Sequence, residues 1–326
     1  MSGAAKAAAV VKSNSYGLGI GQALPVLLEA GAREFFIARW NEIAGILRHV
    51  APEQVGVFHG PRSAEHAAYA RAAGVRPVIN SLEQARHWID AGGGACHLMV
   101  DTGINRLGIA MGQIGDPLLA RLDIDILMSH LASADEDVAL NAVQRARFGE
   151  ACAAIAAKRR SLSNSAGIAL GPDYAFDLTR PGVALYGGVP CPELAGTIRQ
   201  VAYPQAAIIQ VRELQSGDIV GYNAQFTAQA PMRVGVVSLG YADGFMRSWS
   251  ARGALQYGEA RLPLLGKVSM DMVVVDLAAA PQLAEGDWLD VPYYLPDAAI
   301  ASGLSQYELL TVLGSRFTRQ PAPSAG

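Results

Sequence analysis

The segment Pro77-Val78-Ile79-Asn80-Ser81-Leu82-Glu83-Gln84-Ala85-Arg86-His87-Trp88-Ile89-Asp90, with the run His97-Leu98-Met99-Val100 that follows it, decides the fold. Two short apolar runs, Pro77–Ile79 and His97–Val100, flank an amphipathic stretch from Ser81 to Asp90. Ser81 suits a helix N-cap and lies two residues before Glu83. The segment therefore reads as strand, helix, strand. The same alternation extends in both directions. Further strand candidates are Ala7–Val11, Phe35–Ala38, Val55–Phe58, Ile124–Met128, the short Ser161–Ser163 and Val183–Leu185. Amphipathic stretches at Ser63–Ala73 and Val138–Ala157 lie between them, the first with Ser63 as an N-cap. Eight strands alternating with helices predict an α/β fold with a parallel sheet, and eight is the number that closes a (β/α)8 TIM-type barrel.

After about Val201 the texture changes. Runs at Ala206–Val211, Arg233–Ser238, Leu262–Leu264 and Val273–Asp276 are separated by turn signals such as Ser216-Gly217-Asp218 and Glu285-Gly286-Asp287. Helical patterning almost vanishes until Leu304–Leu313. The expectation is a barrel over residues 1–200 and a mainly β domain over 201–326, ending in a disordered tail from Gln320.

The chain has 326 residues, 51% hydrophobic and 17% charged, enough for a sizeable core without disulfide or metal staples. A net charge of −3, with both signs mixed along the chain, gives no footprint for nucleic acid or an anionic membrane. Cys96, Cys152 and Cys191 are an odd number at wide spacing and fit a reducing cytoplasm. The apolar stretch Ala4–Val11 is interrupted by Lys6 and too short for a signal core, and no run reaches the length of a membrane span. The six histidines show no metal-ligand spacing.

Polar residues collect just after the expected strands, where barrel enzymes place their chemistry. Lys12 follows the first, Asp101 to Arg106 the fifth, His130 the sixth, and Asn164-Ser165 the seventh; Arg180-Pro181-Gly182 belongs to the eighth strand region. Taken singly, each has an ordinary structural reading: a solvated lysine, a packing histidine, an arginine before a proline. Together they converge on one mouth. A lysine there can form a Schiff base with an aldehyde cofactor, and the loops after strands seven and eight are the usual phosphate cradle.

Ala9-Val10-Val11-Lys12-Ser13-Asn14-Ser15-Tyr16-Gly17 resembles the cofactor-lysine signature of the alanine racemase family, with Ser13 and Ser15 where small alanines are common. Asp101-Thr102-Gly103-Ile104-Asn105-Arg106-Leu107-Gly108, Ser129-His130-Leu131-Ala132-Ser133-Ala134-Asp135, Arg180-Pro181-Gly182-Val183-Ala184-Leu185-Tyr186-Gly187, Gly240-Tyr241-Ala242-Asp243-Gly244, Gly266-Lys267-Val268-Ser269-Met270-Asp271 and Tyr307-Glu308-Leu309-Leu310-Thr311-Val312-Leu313-Gly314 match the same family in order. The resemblance covers nearly the whole chain.

It implies a pyridoxal 5'-phosphate (PLP) enzyme interconverting L- and D-alanine, acting as a homodimer with shared sites, either supplying D-alanine for peptidoglycan or catabolising alanine. By similarity Lys12 carries PLP and is the base on one face of the substrate, and Tyr241 of the partner subunit is the base on the other. Arg180 resembles the partner of the ring nitrogen, and His130 packs beside the ring and links Arg180 to Tyr241. Tyr16, Ser165, Gly182, Val183 and Tyr307 resemble phosphate ligands. Arg106 corresponds to the residue near the cofactor's phenolic oxygen and the substrate carboxylate, and Met270 marks a carboxylate-binding position reached from the partner subunit, acting through its backbone N–H.

Three features depart from the family pattern. Met99 stands where many relatives carry a carbamylated lysine that positions the arginine, and Leu18 stands where histidine is frequent. The first strand and helix of the family, roughly 30 residues or one βα unit, are expected to be missing before Ser2, which would leave one barrel face uncovered. Rival readings are a racemase of another small or broader range of amino acids, a non-catalytic PLP-binding barrel, a PLP decarboxylase and a dinucleotide binder built on Gly17-Leu18-Gly19-Ile20-Gly21. The last lacks GxGxxG spacing. The decarboxylase would need a cysteine in the second domain, yet all three precede residue 192. The non-catalytic barrel would have no domain carrying Tyr241.

Overall fold

The computed structural model describes residues 2–250 and 252–320. The chain forms two compact units, residues 1–185 with 190–197, and residues 186–189 with everything from 198 onward.

In the first unit eight short strands run parallel: Lys6–Ala7 continuing as Ala9–Val10, Phe35–Ile37, Val55–Val57, Arg76–Ile79, Ala95–Asp101, Asp123–Met128, Arg159–Ser161 and Leu178–Thr179. The ring closes through the first strand, which pairs with Phe35 and Phe36 on one side and with Leu178 and Thr179 on the other. The seventh and eighth strands meet through Asp177 N–H to Arg160 O at 3.1 Å and Arg180 N–H to Ser163 O at 2.8 Å. Phe35, Phe36 and Ile37 are all buried, as a strand covered on both faces requires. Ser63 and Ser81 do cap their helices, accepting the N–H of His66 at 3.3 Å and of Gln84 at 3.1 Å. These two helices, Ala64–Ala73 and Leu82–Asp90, place Ala67, Ala70, Ala85 and Trp88 against the strands.

Two boundaries differ from the sequence reading. The eighth strand is Leu178–Thr179, and Val183–Leu185 belongs to a 3-10 turn, Val183–Tyr186. A three-residue apolar run carries no periodicity, so a buried turn and a buried strand look alike in sequence. The seventh strand begins two residues earlier than expected, at Arg159, because Arg159 and Arg160 pair with Ile126 and Leu127.

The second unit is a closed barrel of six antiparallel strands, in the order Gln205–Leu214, Met232–Val237, Val273–Asp276, Ala260–Leu265, Ala254–Tyr257 and Trp288–Asp290. The long strand Gln205–Leu214 closes it. Its first residues pair with Trp288–Asp290, and the rest pair with Met232–Val237 across a register shift between Ile208 and Gln210. Helix Leu295–Ser302, which the sequence reading missed, begins with a proline in its first turn and ends on Gly303 in the left-handed region. Of the expected tail, residues 321–326 lie outside the described residues.

Candidate active site

The first strand delivers Lys12 to the C-terminal mouth of the parallel barrel, and the backbone after it is unusual. Ser13, Asn14, Ser15 and Tyr16 have φ of 54°, 55°, 55° and 52°, one turn of left-handed helix. L-residues resist this conformation by about 1–2 kcal/mol each, so the turn persists only where its surroundings over-determine it. They do so here. Ser15 N–H donates to Val11 O at 3.0 Å, Gly17 N–H to Ser13 O at 2.9 Å and Gly19 N–H to Asn14 O at 2.9 Å. The Asn14 side chain accepts the N–H of Ile20 at 2.8 Å, tying the turn to the helix Ile20–Glu29. The turn leaves Lys12 Nζ 5.9 Å from the centre of the Tyr16 ring. Burial, and then the Arg106 guanidinium, pull the Lys12 pKa below the usual lysine range, while Glu42 acts the other way.

Tyr16, Ser165, Gly182 and Val183 come together as the sequence suggested. The Ser165 hydroxyl accepts the N–H of Gly182 at 2.8 Å and of Ala184 at 3.3 Å. A Cβ on Gly182 would lie 2.3 Å from the Tyr16 hydroxyl, so only glycine lets that hydroxyl reach the loop. Val183 is buried directly behind it. Two hydroxyls and a glycine loop, from the ends of strands one, seven and eight, suit a phosphate group.

Arg180 follows the eighth strand and is 3% exposed. Its donors go to neutral oxygens, the Ser161 hydroxyl and the carbonyls of Ser129 and Leu162, and no carboxylate pairs with it among the described residues. Burial lowers its pKa to about 10, so it stays cationic at neutral pH. His130 follows the sixth strand. Burial, then the charges of Arg180, Arg106 and Lys12, push its pKa down to about 3, so the imidazole is neutral. Gln144, buried on the helix Ala139–Ala154, fixes the His130 loop by donating to His130 O at 3.1 Å and accepting from Ala132 N–H at 2.8 Å.

Arg106 sits in a loop built on one carboxylate. Asp101 accepts the N–H groups of Gly103, Ile104, Asn105 and Arg106 at 2.9, 3.0, 3.1 and 3.2 Å. Gly108 closes the loop at φ 130°, with backbone so near that a Cβ would fall 2.6 Å from Asp101 N. Met99 is buried, and its Cγ would lie 3.1 Å from the same Cβ. Apolar packing thus fills the position where a modified lysine was the family pattern.

In the second unit, Gly240-Tyr241-Ala242-Asp243-Gly244 and the Met270 loop form one packed piece. Tyr241 N–H donates to Ser269 O and Ala242 N–H to Met270 O, each at 3.0 Å. A Cβ on Gly240 would lie 2.2 Å from Met270 O, so the two backbones approach as only glycine permits. Asp243 caps the turn from below, accepting Gly240 N–H at 2.8 Å, and Arg316 bridges Asp243 at 3.1 Å and Asp271 at 2.7 Å. The Arg247 guanidinium lies 5.1 Å above the Tyr241 ring. Met270 is 53% exposed, which disfavours a core role for its thioether. Tyr307 sits half-exposed on the helix Gln306–Thr311, which Ser305 and Glu308 cap reciprocally.

The sequence reading missed Glu42 and Asn14, which hold the Lys12 turn. Asn14 lies inside the lysine signature but was given no role there, and Glu42 belongs to no motif. The only available signal was position, since Glu42 comes just after the second strand. Among the described residues no group of side chains has the makings of a metal site, and no helix is long and apolar enough to cross a membrane.

Residues 1–190 match the family model described as alanine racemase, N-terminal domain, and residues 201–321 the one described as alanine racemase, C-terminal domain. An alanine racemase of Methylobacterium nodulans is 39% identical over 97% of this chain and 89% of its own length. A catabolic alanine racemase of Agrobacterium fabrum is 39% identical over 98% of this chain and 86% of its own. Among solved structures, the Bartonella henselae alanine racemase with covalently bound pyridoxal phosphate superposes with a TM-score of 0.89 at 32% identity, covering 98% of this chain and 93% of that one. Two domain matches and near full-length relatives agree with the barrel, its lysine mouth and the second β barrel: the chain belongs to the alanine racemase family of isomerases.

Proposed function

We propose that the chain interconverts L- and D-alanine with PLP by a two-base mechanism. The observation that carries this reading is the mouth of the parallel barrel, where a lysine of lowered pKa, a buried arginine without an acid and a hydroxyl-lined glycine loop occupy the ends of the first, eighth and seventh strands. The residues fit the cofactor. Tyr16, Ser165 and the backbone at Gly182 and Val183 would hold its phosphate. Arg180 would hold its ring nitrogen, His130 would pack beside the ring, and Lys12 would bind its aldehyde carbon. When bound, PLP spreads the negative charge left at Cα after proton loss.

The chain's own groups do the rest. Lys12 Nζ, its charge disfavoured by burial and Arg106, takes or returns the Cα proton on one face. Racemisation requires a second group on the opposite face, because one fixed base cannot serve both. That group is the partner subunit's Tyr241, in a homodimer, its loop held rigid on Gly240 and Asp243. Arg180 would donate to the ring nitrogen without surrendering a proton, which would weaken charge withdrawal compared with an acid partner and limit transamination. His130 stays neutral and adds no cation beside Arg180. Arg106 and the backbone N–H of the partner subunit's Met270 would take the substrate carboxylate. Residues 1–200 thus carry the cofactor, and 201–326 carry the second base. The reaction supplies D-alanine for peptidoglycan or serves the catabolism of alanine, in the cytoplasm.

The test is formation of D-alanine from L-alanine by the purified chain with added PLP, alongside Tyr241→Phe. The variant should lose Cα-hydrogen exchange from one enantiomer by roughly 10²–10⁴-fold and keep exchange from the other. Equal loss from both would defeat the two-base reading. Exchange of serine or larger amino acids at rates matching alanine would replace alanine with a broader substrate range.

A further inference from the structure

Glu42 is the one carboxylate at the barrel mouth whose oxygens are committed to the backbone beside Lys12. One oxygen accepts the N–H of Ser13, the residue after Lys12, at 2.5 Å. The other accepts the N–H groups of Ala38 and Arg39, both at 2.8 Å. Ser13 opens the left-handed turn and Ala38 directly follows the second strand, so a single side chain pins the strained end of the first strand to its neighbour. A hydrogen bond to a charged acceptor is stronger than a neutral one, and three converge here. The turn's own bonds, from Ser15, Gly17 and Gly19, fix its later residues but leave the Ser13 N–H to Glu42.

We propose that Glu42 is a positioning residue for Lys12: its carboxylate holds the Ser13 amide, and so fixes where the lysine side chain leaves the backbone. The inference rests on the reading of Lys12 as the cofactor lysine. It also gives Glu42 a second effect, because its negative charge favours protonated Lys12 against Arg106. The other charged or titratable groups facing Lys12 are His59 after the third strand, His130 after the sixth, and Tyr16 on its own turn. Arg39 and Arg62 act on His59 from the loops around it. Glu42 acts on His59 as well, opposing that lowering, so Glu42→Gln pushes the His59 pKa further down.

The experiment uses the full chain stripped of cofactor and compares Glu42→Gln and Glu42→Asp with the parent. Capture of added PLP by Lys12 is followed by visible absorbance and by borohydride reduction with peptide mapping, across pH. Amide hydrogen exchange is read at Ser13, Ala38 and Arg39. Glu42→Gln should speed exchange of the Ser13 amide about tenfold, slow the limiting capture rate, and move the pH midpoint of capture downward. The sign follows from removing a negative charge, which makes the neutral amine available at lower pH. Glu42→Asp keeps the charge but is one methylene shorter; it should keep the midpoint and still slow capture. Parent-like Ser13 exchange with a parent-like midpoint in Glu42→Gln would overturn the proposal, and if that variant does not fold, parent-like capture by Glu42→Asp would do the same. Racemisation is not part of the readout, so a different substrate leaves the test intact. Failure of the parent itself to capture PLP at Lys12 would instead refute the cofactor reading.

Discussion

The two ends of the parallel barrel handle charge in opposite ways. At the end where the strands begin, Arg159 reaches Glu34 with both guanidinium nitrogens, at 2.5 and 2.7 Å, and Asp125 at 2.9 Å; Arg76 pairs with the same Asp125. Each of these four side chains faces an opposite charge. At the end where the strands stop, Lys12, Arg106 and Arg180 stand together without an acid for each, and the carboxylates of Asp101 and Glu42 are engaged by backbone amides. Unpaired positive charge lowers the pKa of its neighbours and attracts anions; paired charge does neither. A barrel's floor is free to be stable because its mouth is where chemistry needs groups left over.

The sharpest way to break this comparison is to exchange one residue at each end. Lys12→Ala should erase the visible absorbance of bound cofactor and cut racemisation roughly 10³-fold or more, with stability close to the parent. Asp125→Ala should do the reverse. It leaves Arg76 without its acid and Arg159 with Glu34 alone, and should cost about 3 kcal/mol in denaturant unfolding. Cofactor absorbance should be retained. An Asp125→Ala chain that unfolds like the parent would show that the floor is not a stabilising network.

A finer test uses two histidines with the same protonation behaviour at opposite ends. His97, on the fifth strand, is 3% exposed, its Nδ1 has no partner, and burial pushes its pKa to about 3. His130, at the mouth, is pushed to the same value with Arg180 contributing. Both are depressed below the unfolded value near 6.5. The unfolded chain therefore binds protons that the folded chain refuses, and stability falls as pH drops from about 6.5 toward 3. Each histidine contributes a slope of about 1.4 kcal/mol per pH unit in that window. His97→Leu and His130→Leu should each flatten the acid side of the stability curve, measured by unfolding between pH 7 and pH 5. Only His130→Leu should also disturb the cofactor spectrum. A spectral change in His97→Leu would erase the distinction between floor and mouth.

Much of the mouth and little of the floor was legible in the sequence. Lys12, Arg106 and His130 each follow a strand whose apolar run could be read locally, so their convergence followed from counting strands; Arg180 was placed by its motif, since the strand before it was not read. The caps at Ser63 and Ser81 were legible for the same reason, since a cap acts within three residues. The floor depends on partners far apart in the chain: Arg159 and Glu34 are separated by 125 residues. No spacing rule reports such a pair. Closure of the ring was hidden too, because Leu178–Thr179 is two residues long and carries no period. The strained turn escaped because Ser13, Asn14, Ser15 and Tyr16 include no glycine to announce a left-handed backbone.

That turn carries the smallest expected effect. Ser15 is fully buried, its Oγ has no hydrogen-bond partner among the described residues, and it stands where the family pattern favours alanine. A buried hydroxyl loses its water on folding and recovers nothing here, which costs about 1 kcal/mol or more. Its backbone φ of 55° suits serine little better than alanine, so the substitution adds no appreciable strain. Ser15→Ala should therefore stabilise the chain by about 1 kcal/mol in denaturant unfolding, without moving the pH midpoint for cofactor capture by Lys12. It is the one change at the mouth expected to make that end more like the floor. If Ser15→Ala instead destabilises the chain or slows capture, the hydroxyl has a partner when cofactor is bound, and the group that looks idle belongs to the site.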